Sequence, residues 1–106
     1  MKLLETQEEF EALWFGASET TQPWIVYFTA AWCGPCQQLD LTALDAAASV
    51  AGIPILKCEY TQNDYTAGYC NVRKFPTFVY FEPGKIRATY SSNNTQQVVS
   101  WIQSLT

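Results

Sequence analysis

The pair of cysteines in residues 32–36, Trp-Cys-Gly-Pro-Cys, constrains this chain more than any other feature. Two cysteines with two residues between them can close a reversible disulfide, or they can supply half of a four-ligand metal site. The pair follows an apolar run at residues 24–28 and precedes a helical pattern at residues 37–50. A reactive thiolate is often placed where a strand gives way to a helix. The motif therefore favours thiol–disulfide exchange through Cys33 and Cys36.

Length and charge narrow the classes of protein to which the chain can belong. A chain of 106 residues is expected to form a single domain, residues 1–106. The net charge of −4 provides no basic patch for nucleic acid or for an anionic membrane, so neither is an expected partner. Residues 1–5 lack the apolar stretch of a signal peptide, so we expect a cytoplasmic protein. In that compartment structural disulfides are rare, whereas catalytic ones persist.

Hydrophobic periodicity and turn residues predict alternating strands and helices. The predicted strands are residues 2–5, 24–28, 53–60, 78–81 and 86–90. The predicted helices run from Thr6 to Gly16, over residues 37–50, over residues 63–70 and onward from Asn94, with a polar loop at 18–23. This order predicts an α/β fold whose first part pairs in parallel through crossovers and whose last two strands form an antiparallel hairpin.

The helix predicted after the cysteine motif has an apolar face that we expect to pack on the core. Its members are Leu39, Leu41, Leu44, Ala47, Ala48 and Val50. The first residues of a helix leave backbone N–H groups unpaired, and the helix dipole is positive at that end. We therefore expect the thiolate of Cys33 to be stabilised there, with Gly34 allowing a tight turn and Pro35 fitting the first helical turn. Cys36 would then lie close enough to resolve a mixed disulfide.

The two remaining cysteines, Cys58 and Cys70, leave a metal-binding alternative open. Together with Cys33 and Cys36 they could complete a four-cysteine site, but eleven residues separate them, so they do not form a second close pair. We expect them to be free thiols packed as small apolar groups, with Cys70 the more exposed of the two. The chain contains no histidine, which excludes histidine ligands and a Cys/His nucleophilic pair. No metal and no cofactor beyond the Cys33–Cys36 disulfide is expected.

Three motifs together resemble the thioredoxin family over essentially the whole chain: residues 32–36, residues 75–77 (Phe75-Pro76-Thr77) and the Pro-Gly turn at 83–84. The resemblance implies a thioredoxin fold, with a central mixed sheet of four to five strands flanked by four helices. It also implies that Cys33 is an exposed nucleophile, flanked by Trp32, and that Cys36 is a buried resolving thiol. By the same resemblance Pro76, with Phe75 and Thr77, faces the disulfide with a cis peptide bond and aligns the substrate chain.

The chain departs from the family at a position that concerns proton transfer. The family usually carries a buried aspartate six residues before the nucleophile, and here that residue is Tyr27. A phenol is mostly protonated near neutrality and is a poor base. Lys57 matches the lysine that usually accompanies the aspartate. Either Tyr27 and Lys57 together form a substitute proton relay, or Tyr27 is a core aromatic residue and water carries the proton of the resolving cysteine. We favour the second interpretation. It predicts that mixed disulfides are released more slowly than is usual for the family.

Further departures concern partners. Leu41 replaces a frequent helix proline, Thr29 a frequent aromatic residue, and residues 90–92 (Tyr-Ser-Ser) a glycine-containing apolar loop. The resemblance implies a monomeric electron carrier that reduces disulfide-containing proteins and is recycled by a thioredoxin reductase or another dithiol donor. Two alternatives remain at this point. One is a non-catalytic accessory subunit that clamps a partner such as a polymerase, and the other is an isomerase or oxidase.

Overall fold

The computed structural model of the chain describes residues 1–16 and 22–106. The elements in this part of the chain are β1 (Lys2–Leu3), α1 (Gln7–Trp14), β2 (Trp24–Thr29), a 3-10 helix (Pro35–Gln38), α2 (Leu41–Ala51), β3 (Ile55–Glu59), α3 (Asp64–Tyr69), β4 (Thr77–Glu82), β5 (Lys85–Tyr90) and α4 (Thr95–Ser104). The order agrees with the predicted alternation. Residues 18–21 of the predicted polar loop lie outside the described residues.

The described strands form one mixed sheet in the order β1-β3-β2-β4-β5. The β1–β3 and β2–β3 pairs are parallel, whereas β2–β4 and β4–β5 are antiparallel. The predicted hairpin is the β4–β5 pair. The central strand β2 is buried along most of its length because both faces of the sheet are covered by helices, and its nearly continuous apolar sequence fits that position.

Alternate residues of β2 point into two separate cores, because successive side chains of a strand face opposite sides of the sheet. Val26 and Phe28 join a cluster with Phe10 of α1, and α1 also contacts α3. Ile25 and Tyr27 join the other cluster, which contains apolar residues of α2 and α4. The architecture is thus a five-stranded sheet with two helices on each face, counted over the described residues.

Capping side chains begin the helices where the sequence placed them. Thr6 accepts a hydrogen bond from the amide of Glu9, and Asn94 accepts one from the amide of Gln97. Thr6 and Glu9 have the spacing of a capping box, which is only half formed because Glu9 accepts from the amide of Glu5 instead of that of Thr6.

The prediction of one helix over residues 37–50 is wrong at its start. A 3-10 helix, Pro35–Gln38, ends at Leu39, which is extended (φ −80°, ψ 137°), and α2 begins only at Leu41. The cause is Asp40, whose carboxylate accepts from the amide of Ala43 and whose own amide donates to Thr95 Oγ1 at 3.0 Å. The break lets Leu39 reach the core while Asp40 caps a new helix.

The prediction that Val50 belongs to the core face of α2 is wrong, because this residue is 91 % exposed. Leu44 and Ala48 are buried and lie four residues apart, on one face of the helix. Val50 lies about 200° around the helix from Ala48, since each residue turns about 100°.

No helix in the described part of the chain is long and apolar enough to span a membrane.

Candidate active site

The cysteine motif occupies the turn that follows β2. Cys33 and Cys36 form a disulfide, with their Cα atoms 5.4 Å apart. The amide of Cys33 donates to the carbonyl of Ala30 at 3.0 Å, which turns the chain at the end of the strand. Pro35 then opens the 3-10 helix that carries Cys36. The two sulfurs are therefore held together by a turn of four residues, as the spacing predicted.

A backbone amide points at the sulfur of Cys33. The amide nitrogen of Cys36 lies 3.2 Å from Cys33 Sγ and donates a hydrogen bond to it. Because the α-helix begins only at Leu41, the prediction that Cys33 lies at the mouth of one continuous helix is wrong. The local Cys36 N–H is the donor that remains, and such a donor favours the charged form of the thiol.

The exposure of the two cysteines also differs from the expectation. Cys33 is 4 % exposed and Cys36 is 6 % exposed, so Cys33 is not the open nucleophile that the resemblance implied. The reason is local packing, since both cysteines join a small cluster with Ala30 and the partly buried Phe75. Trp32, in contrast, is 66 % exposed.

Gly34 has an ordinary right-handed conformation, with φ −59° and ψ −50°. The tight turn therefore does not require glycine. A Cβ atom built at this position would meet no heavy atom within 4 Å, so the site is open on this side. Gly34 leaves room beside the disulfide for the backbone of another chain.

A recess of about 350 Å³ adjoins the disulfide. Its lining includes Cys33 and Cys36 together with Tyr27, Lys57 and Glu59. Tyr27 and Lys57 are direct partners in the β2–β3 register, so the structure brings together the two residues that the sequence linked to proton transfer. The recess is large enough to admit water, whose share of the liquid volume is about 30 Å³ per molecule.

Tyr27 combines a core position with access to this recess. It is 2 % exposed, and its ring stacks on that of Phe78 with centroids 5.0 Å apart. Burial raises the pKa of Tyr27 above its ordinary value, and a hydrogen bond with the Thr29 side chain opposes this only in part. The phenol is therefore neutral near neutrality, which agrees with a core aromatic rather than with a phenolate relay through Lys57.

Glu59 is the residue of this recess that sequence reasoning missed. Its carboxylate accepts hydrogen bonds from the amides of Ala31 and Gln62 and from the hydroxyl of Thr61. A signal was present in the sequence, because Glu59 lies two residues after Lys57 in the same predicted strand and therefore shares its face.

A second concavity, a groove of about 300 Å³, runs past Pro76 on the other side of the motif. The Phe75–Pro76 peptide bond is cis, as expected. Pro35, Phe75 and Pro76 line the groove, together with the serines that follow β5. Thr77 Oγ1 donates to the carbonyl of Lys74 at 2.8 Å and lies 2.7 Å from the hydroxyl oxygen of Ser91, so the strand that follows Pro76 is tied to the opposite wall.

The remaining cysteines lie away from the motif. Cys58 and Cys70 are free thiols, 0 % and 6 % exposed, within the core cluster on the α1–α3 face of the sheet. Packing as small apolar groups is confirmed for both, and Cys70 is the more exposed of the two, as expected, although it too is buried. Within residues 1–16 and 22–106, no group of three or more Cys, Asp or Glu side chains is placed to hold a metal ion.

The family assignment follows from comparison with known proteins. The thioredoxin family model matches residues 3–104. The chain belongs to the thioredoxin family. A thioredoxin of Geodia cydonium is 28 % identical over 90 residues, covering 85 % of this chain and 83 % of its own. A thioredoxin-like protein of Synechocystis sp. is 37 % identical over 93 residues, covering 85 % and 82 %.

Solved structures agree with the thioredoxin fold. The thioredoxin of Fasciola hepatica superposes with a TM-score of 0.80 at 27 % identity, covering 98 % of both chains. Some relatives are much longer, and this chain spans 22 % of the TPR repeat-containing thioredoxin TDX of Arabidopsis thaliana. The family fold and the Cys33–Cys36 disulfide support a role as a thiol–disulfide oxidoreductase. Thioredoxins need no cofactor beyond that redox disulfide.

Proposed function

We propose that the protein reduces disulfide bonds in other proteins, using Cys33 and Cys36 as a two-electron dithiol. The observation that carries this proposal is the disulfide itself, with the Cys36 amide 3.2 Å from Cys33 Sγ. The sulfur that accepts an N–H donor is stabilised as a thiolate, and the thiolate is the nucleophile in exchange. We therefore assign attack to Cys33 and resolution to Cys36.

The reaction proceeds in two exchanges. The Cys33 thiolate attacks one sulfur of the substrate disulfide, forms a mixed disulfide and releases the other substrate sulfur as a thiolate. Cys36 loses its proton to water or buffer and attacks Cys33 Sγ, which forms the Cys33–Cys36 disulfide and releases the second substrate thiolate. The substrate gains two electrons and the protein loses two.

The groove past Pro76 supports the binding of an extended substrate chain. Its walls are the 3-10 helix at Pro35, the Phe75–Pro76 segment and the serines after β5, and Pro35 directly precedes Cys36 in the chain. The ring of Trp32 stands edge-on to that of Phe75 with centroids 5.6 Å apart, which extends an apolar surface beside the motif. We assign Phe75, Pro76 and Thr77 to substrate binding and Trp32 to the rim of the site.

Recycling requires an electron donor that can reach the same disulfide. We include in the proposal a thioredoxin reductase or another dithiol donor, a monomeric state and a cytoplasmic location.

The proposal is tested with insulin as the disulfide substrate and dithiothreitol as the electron donor. Wild type should accelerate insulin reduction. Cys36→Ser, reduced beforehand and mixed with insulin after the dithiothreitol has been removed, should accumulate a mixed disulfide that mass spectrometry locates at Cys33. Cys33→Ser is the matched control and should form no such adduct. A Cys33→Ser, Cys36→Ser protein that accelerates insulin reduction as much as wild type would contradict exchange through this pair. Retention of the biological effect by that variant would favour a binding role.

A further inference from the structure

Glu59 is the last residue of β3 and lines the same recess as Cys33 and Cys36. Among the described residues that line this recess, it is the only acidic one. The chemistry proposed above assigns it no part, although its carboxylate lies between the cysteine motif and the turn that follows β3. The contacts of its two carboxylate oxygens therefore indicate what this side chain does.

The two oxygens of Glu59 join separate segments. Oε1 accepts from the amide of Ala31 at 2.6 Å, and Ala31 directly precedes Trp32 and Cys33. Oε2 accepts from the hydroxyl of Thr61 and from the amide of Gln62, the latter at 3.1 Å. The carboxylate therefore fastens the start of the cysteine-bearing turn to the turn that follows β3.

The same contacts keep Glu59 charged. Burial raises its pKa, but the hydrogen bonds accepted from Thr61, Ala31 and Gln62 outweigh this and leave the pKa below its ordinary value. A carboxylate with a lowered pKa is a poor proton acceptor, so Glu59 does not serve as the base for Cys36. Two charged side chains line the recess with Cys33: the positive charge of Lys57 favours a thiolate there, and the negative charge of Glu59 opposes it.

We propose that Glu59 is a positioning residue of the disulfide site, whose carboxylate holds the segment carrying Trp32 and Cys33 and whose negative charge restrains the ionisation of Cys33. We call the hydrogen bonds from Ala31, Thr61 and Gln62 to the carboxylate the clamp, and the influence of its charge on Cys33 ionisation the charge effect. Both are properties of the folded chain, whereas their consequence for exchange rests on the proposed function. Removal of the charge with retention of the shape makes Cys33 more acidic. Removal of the whole carboxylate also releases the amide of Ala31.

The charge effect is tested by alkylating the reduced protein with iodoacetamide across pH and assigning the label to Cys33 by mass spectrometry. Glu59→Gln should lower the pH midpoint of Cys33 alkylation by about half a unit or more, as expected for the loss of a nearby unit charge. Glu8→Gln is the matched control, since Glu8 is exposed on α1 and does not line the recess. Equal midpoints in Glu59→Gln and Glu8→Gln overturn the charge effect.

The clamp is tested by amide hydrogen exchange, which requires no activity. Glu59→Ala should speed exchange at Ala31 by about tenfold or more, because the amide loses its acceptor, whereas Glu59→Gln should speed it less. The amide of Tyr60, which donates to the carbonyl of Thr29 at 2.8 Å, is the internal control and should keep its rate. Unchanged exchange at Ala31 in Glu59→Ala overturns the clamp, and failure of wild type to reduce insulin overturns only the proposed function.

Discussion

Tyr27 shows how one side chain changes the proton chemistry of a site without changing the fold. Its Cα partners are Lys57 on one side and Phe78 on the other, so it sits in the middle of the sheet. Its pKa is raised by burial, so the phenol stays neutral and does not take the proton of Cys36 near neutrality. We expect water in the recess to carry that proton.

Substitutions at Tyr27 separate these roles. Tyr27→Phe should leave the rate of insulin reduction near neutrality unchanged, because a neutral phenol contributes no base. Tyr27→Asp should raise that rate, because it introduces a carboxylate into the recess that Cys36 lines. Turnover is measured across pH with Tyr27→Asn as the uncharged control for lost packing. A markedly slower Tyr27→Phe protein, or no gain in Tyr27→Asp over Tyr27→Asn, contradicts this assignment.

Cys58 and Cys70 should make the protein less stable in alkali. Burial raises the pKa of both thiols from 9.0 to about 12, and for Cys58 the neighbouring Cys70 and Glu59 add to this. Below pH 9.0 the thiols are protonated in both states and add no pH dependence. Between pH 9.0 and about 12 they ionise only in the unfolded chain, so the free energy of unfolding falls.

The expected slope is up to about 1.4 kcal/mol per pH unit for each thiol over that window. It is measured by urea denaturation at several alkaline pH values, in wild type and in a Cys58→Ala, Cys70→Ala variant. The variant loses packing at every pH, so the slopes are compared and not the absolute stabilities. Parallel slopes for the two proteins would show that these thiols are not protected by burial.

At the scale of elements, the break between the 3-10 helix and α2 sets the surroundings of the disulfide. Leu39 turns inward and Asp40 starts a new helix, so the cysteine motif is carried by a short separate turn. Hydrophobic periodicity did not detect this, because Leu39 and Leu41 both fit an uninterrupted helix. The decisive contacts are the cap that Asp40 provides to Ala43 and its tertiary hydrogen bond to Thr95.

The orientation of the helices predicts that replacing valine with alanine has a different effect on stability at two positions. Val98 in α4 is fully buried, whereas Val50 in α2 is 91 % exposed. Val98→Ala should cost about 2 kcal/mol of unfolding free energy, from lost burial and a residual cavity. Val50→Ala should be neutral within about 0.5 kcal/mol. Urea denaturation of both variants measures the difference, and similar costs would mean that α2 is rotated from the orientation described.

At the scale of the whole molecule, the sequence was sufficient to predict those features of the fold that depend on local patterns of residues. The element order and the β4–β5 hairpin follow from periodicity and turn residues. The cysteine pair was predicted to form a disulfide from its spacing together with the apolar strand before it and the helical pattern after it. These features need few contacts between distant residues.

Features that depend on distant contacts were missed. The burial of Cys33 arises where the turn after β2 packs against Phe75, far along the chain. The contact between Glu59 and Ala31 likewise joins residues 28 positions apart. No local pattern encodes such pairs, so the sequence did not predict what surrounds the cysteine pair.

The most direct test of the account is a redox titration of the folded protein against a dithiothreitol buffer, followed by tryptophan fluorescence. We predict one reversible two-electron transition that persists in a Cys58→Ala, Cys70→Ala variant and disappears in Cys33→Ser. Trp32 beside the disulfide should report it. A Cys33–Cys36 pair that stays reduced throughout the titration, or a transition that survives in Cys33→Ser, would contradict the assignment of this site.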